Sequence, residues 1–133
     1  MSEVVVHGSA AGFTQEISIG PHRLTADEPA GPTPYDLLLA ALGSCTSMTL
    51  GMYARRKAWP LESVTIRLRH SRIHAEDCAE CETKAAILDR IESDIQLVGT
   101  LTGEQRAKLL EMASKCPVHR TLVSEINIQT RLV

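Results

Sequence analysis

Four cysteines carry most of the chemical options of this 133-residue chain: Cys45, Cys78, Cys81 and Cys116. Cys45 lies in the uncharged run Leu37 to Leu50, between Ser44 and Thr46, with Ser47 and Thr49 close by. Cys116 stands directly before Pro117, with Lys115, His119 and Arg120 near it. A thiol attacks only as the thiolate; cations and a helix start lower its pKa, whereas apolar burial raises it. The Lys115-Cys116-Pro117 setting therefore favours a lowered pKa, and Cys45 reads as inert filler or as a thiol held in a dry pocket. The alternative is a pair of buried core cysteines, a common fate for this residue.

A second constellation is Cys78-Ala79-Glu80-Cys81, preceded by His70 and His74. Cys-x2-Cys is a common half of a zinc site, and two histidines would complete four ligands. On one strand, however, His70 and His74 would stand about 13 Å apart at roughly 3.3 Å per residue. The acidic neighbours Glu76, Asp77, Glu80 and Glu82 attract a cation but raise thiol pKa. A polar hairpin without chemistry, a metal site and a redox pair all stay open here. His7 and His22 read as surface or edge residues. Met48 and Met52 read as core filler at helical spacing, with thioethers that would also suit an apolar pocket.

The elements that must position these residues follow from pattern. Val4 to His7, Phe13 to Ile19 and His22 to Ala26 read as a strand meander, punctuated by Ser9-Ala10-Ala11-Gly12 and Gly20-Pro21. Asp27 to Pro32 is a proline-rich link into a helix opened by Pro34-Tyr35-Asp36, where proline suits the first turn and Asp36 the positive dipole end. That helix is apolar all round, which predicts a core or interface position. Its apolar run of about 14 residues is short of the roughly 20 that a membrane span needs. Val64 to His70 and Ile91 to Val98 alternate as half-buried strands, with Ser71 to Thr83 a polar connection. The spacing of Ile87, Ile91 and Ile95 would also fit a helix. Thr102 and Gln105 match a capping box for a helix to about Ser114, with Ala107, Leu110, Ala113 and Leu109 inward. Pro117 breaks that helix or opens a short second one capped by Cys116. Ile126, Ile128, Thr130 and Leu132 predict a final strand. The partly segregated order argues for an α+β fold with antiparallel pairing. An all-round apolar helix in so small a chain predicts a homodimer that covers it.

Length fits one domain, residues 1–133. The hydrophobic share of 44% and charged share of 23% are those of a globular protein. A net charge of -2 and an aromatic content of 3% leave neither a basic field nor a base-stacking platform, which disfavours nucleic acid as a partner. Arg55-Arg56-Lys57 fits a helix C-terminus. The opening Met1-Ser2-Glu3-Val4 lacks a basic start and an apolar stretch, so the expectation is a reducing cytoplasm, where cysteines are not staples by default.

The stretch Asp27-Glu28-Pro29, then Gly31-Pro32-Thr33-Pro34-Tyr35-Asp36 through Gly43-Ser44-Cys45-Thr46, resembles the first cysteine motif of the OsmC/Ohr family of osmotically inducible and organic hydroperoxide resistance proteins. Leu109 to His119, with Lys115-Cys116-Pro117-Val118 at its heart, is similar to the second. The resemblance covers essentially the whole chain and is closest to the OsmC-like domain fused to some α/β-hydrolases. It implies a swapped, intertwined α+β homodimer with the cysteine helices at its centre. It implies a thiol peroxidase acting on organic hydroperoxides, with Cys45 attacking, Cys116 resolving, an external dithiol recycling the pair, and no metal or organic cofactor. Family peroxidases activate the first cysteine with an N-terminal arginine, for which Arg23 is the candidate, and with a glutamate directly after the proline. Here Tyr35 and Asp36 follow Pro34, with Asp27 and Glu28 as the carboxylates left to substitute. The competing class is a non-catalytic dimer module that binds a small apolar ligand or a hydrolase partner.

Overall fold

The computed structural model describes residues 3–28, 30–74, 78 and 87–133. Their elements run β1 (Val5–Gly8), β2 (Gln15–Ile19), β3 (His22–Ala26), α1 (Pro34–Arg56), β4 (Leu61–His74), β5 (Ile87–Gly99), α2 (Gly103–Ala113) and α3 (Pro117–Leu122). The backbone forms two compact units, residues 1–40 and 41–133.

The first unit is the expected meander, an antiparallel sheet in the order β1-β2-β3 with Val6 opposite Ile17 and Ile17 opposite Leu24. The tight β2–β3 turn needs a left-handed residue, supplied by Gly20 at φ +57°. Beyond β3, Asp27 braces the link: Thr14 Oγ1–H donates to its Oδ2 at 2.8 Å and the Glu28 N–H to its Oδ1 at 2.6 Å.

α1 starts where the proline motif says it should. The Thr33 N–H donates to Asp36 Oδ2 at 2.9 Å and the Asp36 N–H to Thr33 Oγ1 at 3.2 Å, a reciprocal cap around Pro34. The helix is longer than the apolar run suggests, at 23 residues, and by length and composition alone would pass for a membrane span. Its buried stripe, Leu42, Gly43, Thr46, Leu50 and Ala54, makes it the core helix of the fold. Gly43 marks the closest approach to β4: a Cβ there would sit 2.7 Å from Leu68 Cδ1. The remaining face is open in the chain. Met48 and Met52 are 68% and 54% exposed, so they are not core filler here.

In the second unit β4 and β5 form one long antiparallel hairpin, from Leu61 opposite Gly99 to His74 opposite Ile87. Val64, Ile66 and Leu68 turn to the half-buried side while Thr65, Arg67 and Arg69 face solvent, as their alternation predicts. One expectation is corrected: the strand runs through Ser71 to His74, where the sequence suggests a polar connection. Ile91 to Val98 is a strand as expected, and β5 starts earlier, at Ile87, so the helical alternative for Ile87, Ile91 and Ile95 falls away. Cross-strand polar pairs accompany the long hairpin: Arg69 pairs with Glu92 and Asp94, and His70 and Arg72 share Asp89.

The core joins Leu50 and Ala54 of α1 to Leu109 of α2, with Tyr53, Trp59, Val64, Ile95 and Met112 around them. The Thr102–Gln105 capping box forms as expected. The inward face of α2 differs from expectation: Leu109, Met112 and Ala113 lie toward the core, while Ala107 and Leu110 are exposed. Leu109 and its neighbours at +3 and +4 form one stripe; Leu110 is rotated about 100° from it at 3.6 residues per turn. The final strand is also absent. Among the described residues, 123–133 pair with no strand, and Ile126, Ile128 and Leu132 are exposed.

Gly99 closes the hairpin against the turn at Pro60. It has φ +145°, and a Cβ would overlap the Pro60 carbonyl oxygen, a backbone atom that cannot swing aside. Gly99→Ala is therefore expected to destabilise the fold by at least about 1–3 kcal/mol, read from the midpoint of urea unfolding. A midpoint within error of the parent would show that the strand end relaxes freely.

Candidate thiol site

α1 carries Cys45 in mid-helix, half-buried, one residue before the buried Thr46. After α2 ends, Lys115 and Cys116 lead into α3. Cys116 takes the extended conformation that a residue before proline prefers, with φ -67° and ψ 145°, and caps α3. Its Sγ accepts the His119 N–H at 3.4 Å. The Val118 N–H donates to Cys45 Sγ at 3.5 Å. The start of α3 thus points backbone donors at both sulfurs.

The two cysteines, 71 residues apart in sequence, are neighbours in space. Both are free thiols, and Cys45 is near enough to help lower the pKa of the Cys116 thiol. Thr46 completes the cluster, its Oγ1 lying 3.5 Å from Cys116 Sγ and donating to the Leu42 carbonyl at 2.9 Å. Cys116 is fully buried within the chain. Burial, the largest single influence, pushes its thiol pKa up. The hydrogen bonds from Thr46, the His119 N–H, Cys45 and the Val118 N–H together outweigh it, so the thiol titrates below the ordinary value.

Other candidates stand elsewhere. Lys115 reaches away from the thiol to Glu111 at 3.5 Å. Arg23 Nη1–H donates to the Gly20 and His22 carbonyls at 2.9 and 3.0 Å, on the β2–β3 turn of the first unit. Asp36 is engaged in the α1 cap and Asp27 in the link. Met48 and Met52 line an open groove of about 560 Å³ with Trp59, Leu61 and Val64. His70 Nε2 bonds to Asp89 Oδ1 at 2.8 Å, and His74 lies four residues further along β4 on an exposed stretch. Cys78 is buried and disulfide-bonded. Cys81 and the carboxylates Glu76, Asp77, Glu80 and Glu82 fall outside the described residues, so only part of the proposed metal set can be placed. Among the described residues no three His, Cys, Asp or Glu side chains converge.

The sequence pointed to both thiols but not to the Thr46 contact or the two α3 amides. Thr46, noted as a polar neighbour of Cys45, meets Cys116 while its hydroxyl donates to the Leu42 carbonyl, because residue 46 turns about 100° from residue 45 on the helix.

A model of the OsmC-like protein family matches residues 26–131, a stretch that includes both thiols and Thr46. The chain belongs to that family. Its fold agrees: an OsmC-like protein from Mycoplasma pneumoniae superposes with a TM-score of 0.74 at 19% identity, over 92% of this chain and 86% of that one. An organic hydroperoxide resistance protein OsmC from Legionella pneumophila gives 0.68 at 16% identity, over 92% and 89%. The organic hydroperoxide resistance protein OhrB of Bacillus subtilis gives 0.62 at 16%, over 92% and 90%. No curated protein matches the sequence. At these identities the likeness establishes the OsmC-like α+β fold, and the chemistry has to be argued from the thiols themselves.

Proposed function

We propose that this OsmC-like chain is a two-cysteine thiol peroxidase that reduces organic hydroperoxides in a reducing cytoplasm. The carrying observation is the meeting of two free thiols, Cys45 half-buried and Cys116 fully buried, beside backbone donors. The greater exposure of Cys45 supports giving it the attacking role in this reading. The Cys45 thiolate attacks the terminal peroxide oxygen; the O–O bond breaks, the alkoxide takes a proton and leaves as alcohol, and Cys45 becomes a sulfenic acid. The Cys116 thiolate then attacks the Cys45 sulfur. Hydroxide departs, collects a proton and leaves as water, and a Cys45–Cys116 disulfide remains. An external dithiol reduces that disulfide by exchange. Every electron comes from sulfur, so the cycle uses no metal or organic cofactor.

The groove along Met48, Met52 and Trp59 is also lined by Ser47, Arg55 and Glu62, so in this reading it takes a hydroperoxide with both an apolar and a polar part. In this reading Arg23 serves as the activating arginine, acting on Cys45 in the swapped homodimer. The homodimer is part of the proposal too. It is supported by the open Met48 and Met52 face and by the alternating tail Ile126, Ile128 and Leu132, which pairs with no strand among the described residues. Sedimentation at micromolar concentration is expected to give twice the 14.5 kDa chain mass; a monomer would remove the swapped arrangement.

The decisive test treats reduced protein with one equivalent of cumene hydroperoxide, quenches with an alkylating agent and maps the cysteines by mass spectrometry. A rapid stoichiometric Cys45–Cys116 disulfide is expected. Two free thiols in folded protein would overturn the peroxidase reading and favour the ligand-binding or hydrolase-partner module instead.

A further inference from the structure

Among the described residues Thr46 is the buried polar side chain, and its hydroxyl meets two partners at once, one of them the Cys116 sulfur. Its single hydroxyl proton rests on the Leu42 carbonyl at 2.9 Å, the same oxygen that its own N–H meets in the helix ladder. Leu42 therefore has a ladder bond without the hydroxyl. On the other side Oγ1 meets Cys116 Sγ at 3.5 Å, where either atom can donate. While Cys116 is a thiol, its S–H can donate to Oγ1 and the hydroxyl stays on Leu42. When Cys116 ionises, the hydroxyl can swing to the sulfur at no loss to the helix. Hydrogen bonds to a charged acceptor are about twice as strong as neutral ones, so this rotor favours the thiolate.

We propose that Thr46 is a positioning residue for the resolving half-reaction, a hydroxyl rotor that stabilises the Cys116 thiolate and aims it at Cys45. The inference rests on the two-cysteine reading for its consequence, but not for its geometry. The groups facing Cys116 are few: Cys45 and Thr46 from α1, and the backbone N–H groups of Val118 and His119 from α3. Lys115, on the same segment, is held by Glu111. Burial opposes ionisation, and the hydrogen bonds, that from Thr46 among them, favour it. With no charged side chain taking part in these contacts, the hydroxyl does work that a cation would do elsewhere.

The test compares Thr46→Val, which keeps the branched shape and loses the hydroxyl, with Thr46→Ser, which keeps the hydroxyl. Thiolate absorbance near 240 nm is titrated in each, and the lifetime of the Cys45 sulfenate is followed by rapid quench after one equivalent of cumene hydroperoxide. In Thr46→Val the Cys116 titration is expected to move up by about one pH unit. Below its pKa the disulfide-forming step should slow about tenfold, with the first, peroxide-consuming step unchanged. Thr46→Ser should restore both readouts. An unchanged titration in folded Thr46→Val, or a Thr46→Ser variant as impaired as Thr46→Val, would overturn the role. The titration needs no peroxide, so it decides on Thr46 even if no disulfide forms and the peroxidase reading fails.

Discussion

Cys45→Ser will abolish hydroperoxide consumption, by at least about a thousandfold, whereas Cys116→Ser will still consume about one equivalent rapidly and then no more than the slower second equivalent that overoxidises the sulfenate. The asymmetry follows from the order of steps. A serine hydroxyl has no accessible anion near neutral pH, so nothing cleaves the O–O bond in the first variant. In the second, Cys45 keeps the Val118 N–H and forms its sulfenic acid, but no thiol stands beside it to close the disulfide. The sulfenate should persist, be trapped by dimedone, and pass to sulfinic acid when excess peroxide is added. Intact-mass measurement distinguishes these states by one and two added oxygens. If Cys116→Ser consumes nothing while Cys45→Ser consumes one equivalent, the roles are exchanged and Cys116 is the attacking thiol. Its lowered pKa makes that outcome chemically coherent, and its complete burial is the argument against it.

The pH dependence has a definite sign. A thiol whose folded pKa lies below its unfolded value adds stability once pH exceeds the unfolded pKa, and loses it as pH falls through the folded one. Cys116 is such a group. Reduced protein should therefore gain stability on going from neutral to alkaline pH relative to a Cys116→Ala variant. A parallel pH response of the two proteins in urea unfolding would show that the net shift is absent.

Local signals in the sequence read well where they act locally. Thr102 and Gln105 make their capping box, Gly20 its turn, Cys116 its cap before Pro117, and Val64 to Leu68 its alternation. Each depends on atoms within a few residues of one another. The errors lie where the environment is set by distant chain. Leu110 has the same apolar side chain as Leu109, and only the position of Leu50 and Ala54 decides which one is buried. Ile126 to Leu132 has strand alternation, but a strand needs an edge to pair with, and alternation carries no record of where that edge lies. The site divides in the same way. Each cysteine could be singled out from its neighbours, yet their meeting is a contact across 71 residues, and the Thr46 hydroxyl could be given to Cys116 only once α3 had been placed against α1.

Leu109→Ala should cost about 2–5 kcal/mol, and should weaken the chemistry as well as the fold. Leu109 and Leu50 are both fully buried, and together with Ala54 they form the core that fixes α2 to α1. A cavity there loosens the segment that carries Cys116, which begins a few residues after α2 ends at Ala113. Disulfide formation needs the two sulfurs within a narrow range of distance and angle, so resolution should slow while the initial attack by Cys45, seated on α1, is retained. Leu110→Ala, one residue along on the exposed side, should cost no more than about 0.5 kcal/mol. Urea unfolding of the two variants, with the sulfenate lifetime measured below the transition, checks both halves. Equal costs for the two leucines would mean that Leu110 is covered in solution, and a dependence of that cost on protein concentration would locate the cover on a second chain. A large loss of stability in Leu109→Ala with an unchanged sulfenate lifetime would show that Cys116 is held by Thr46 and the α3 turn alone, independently of the core beneath them.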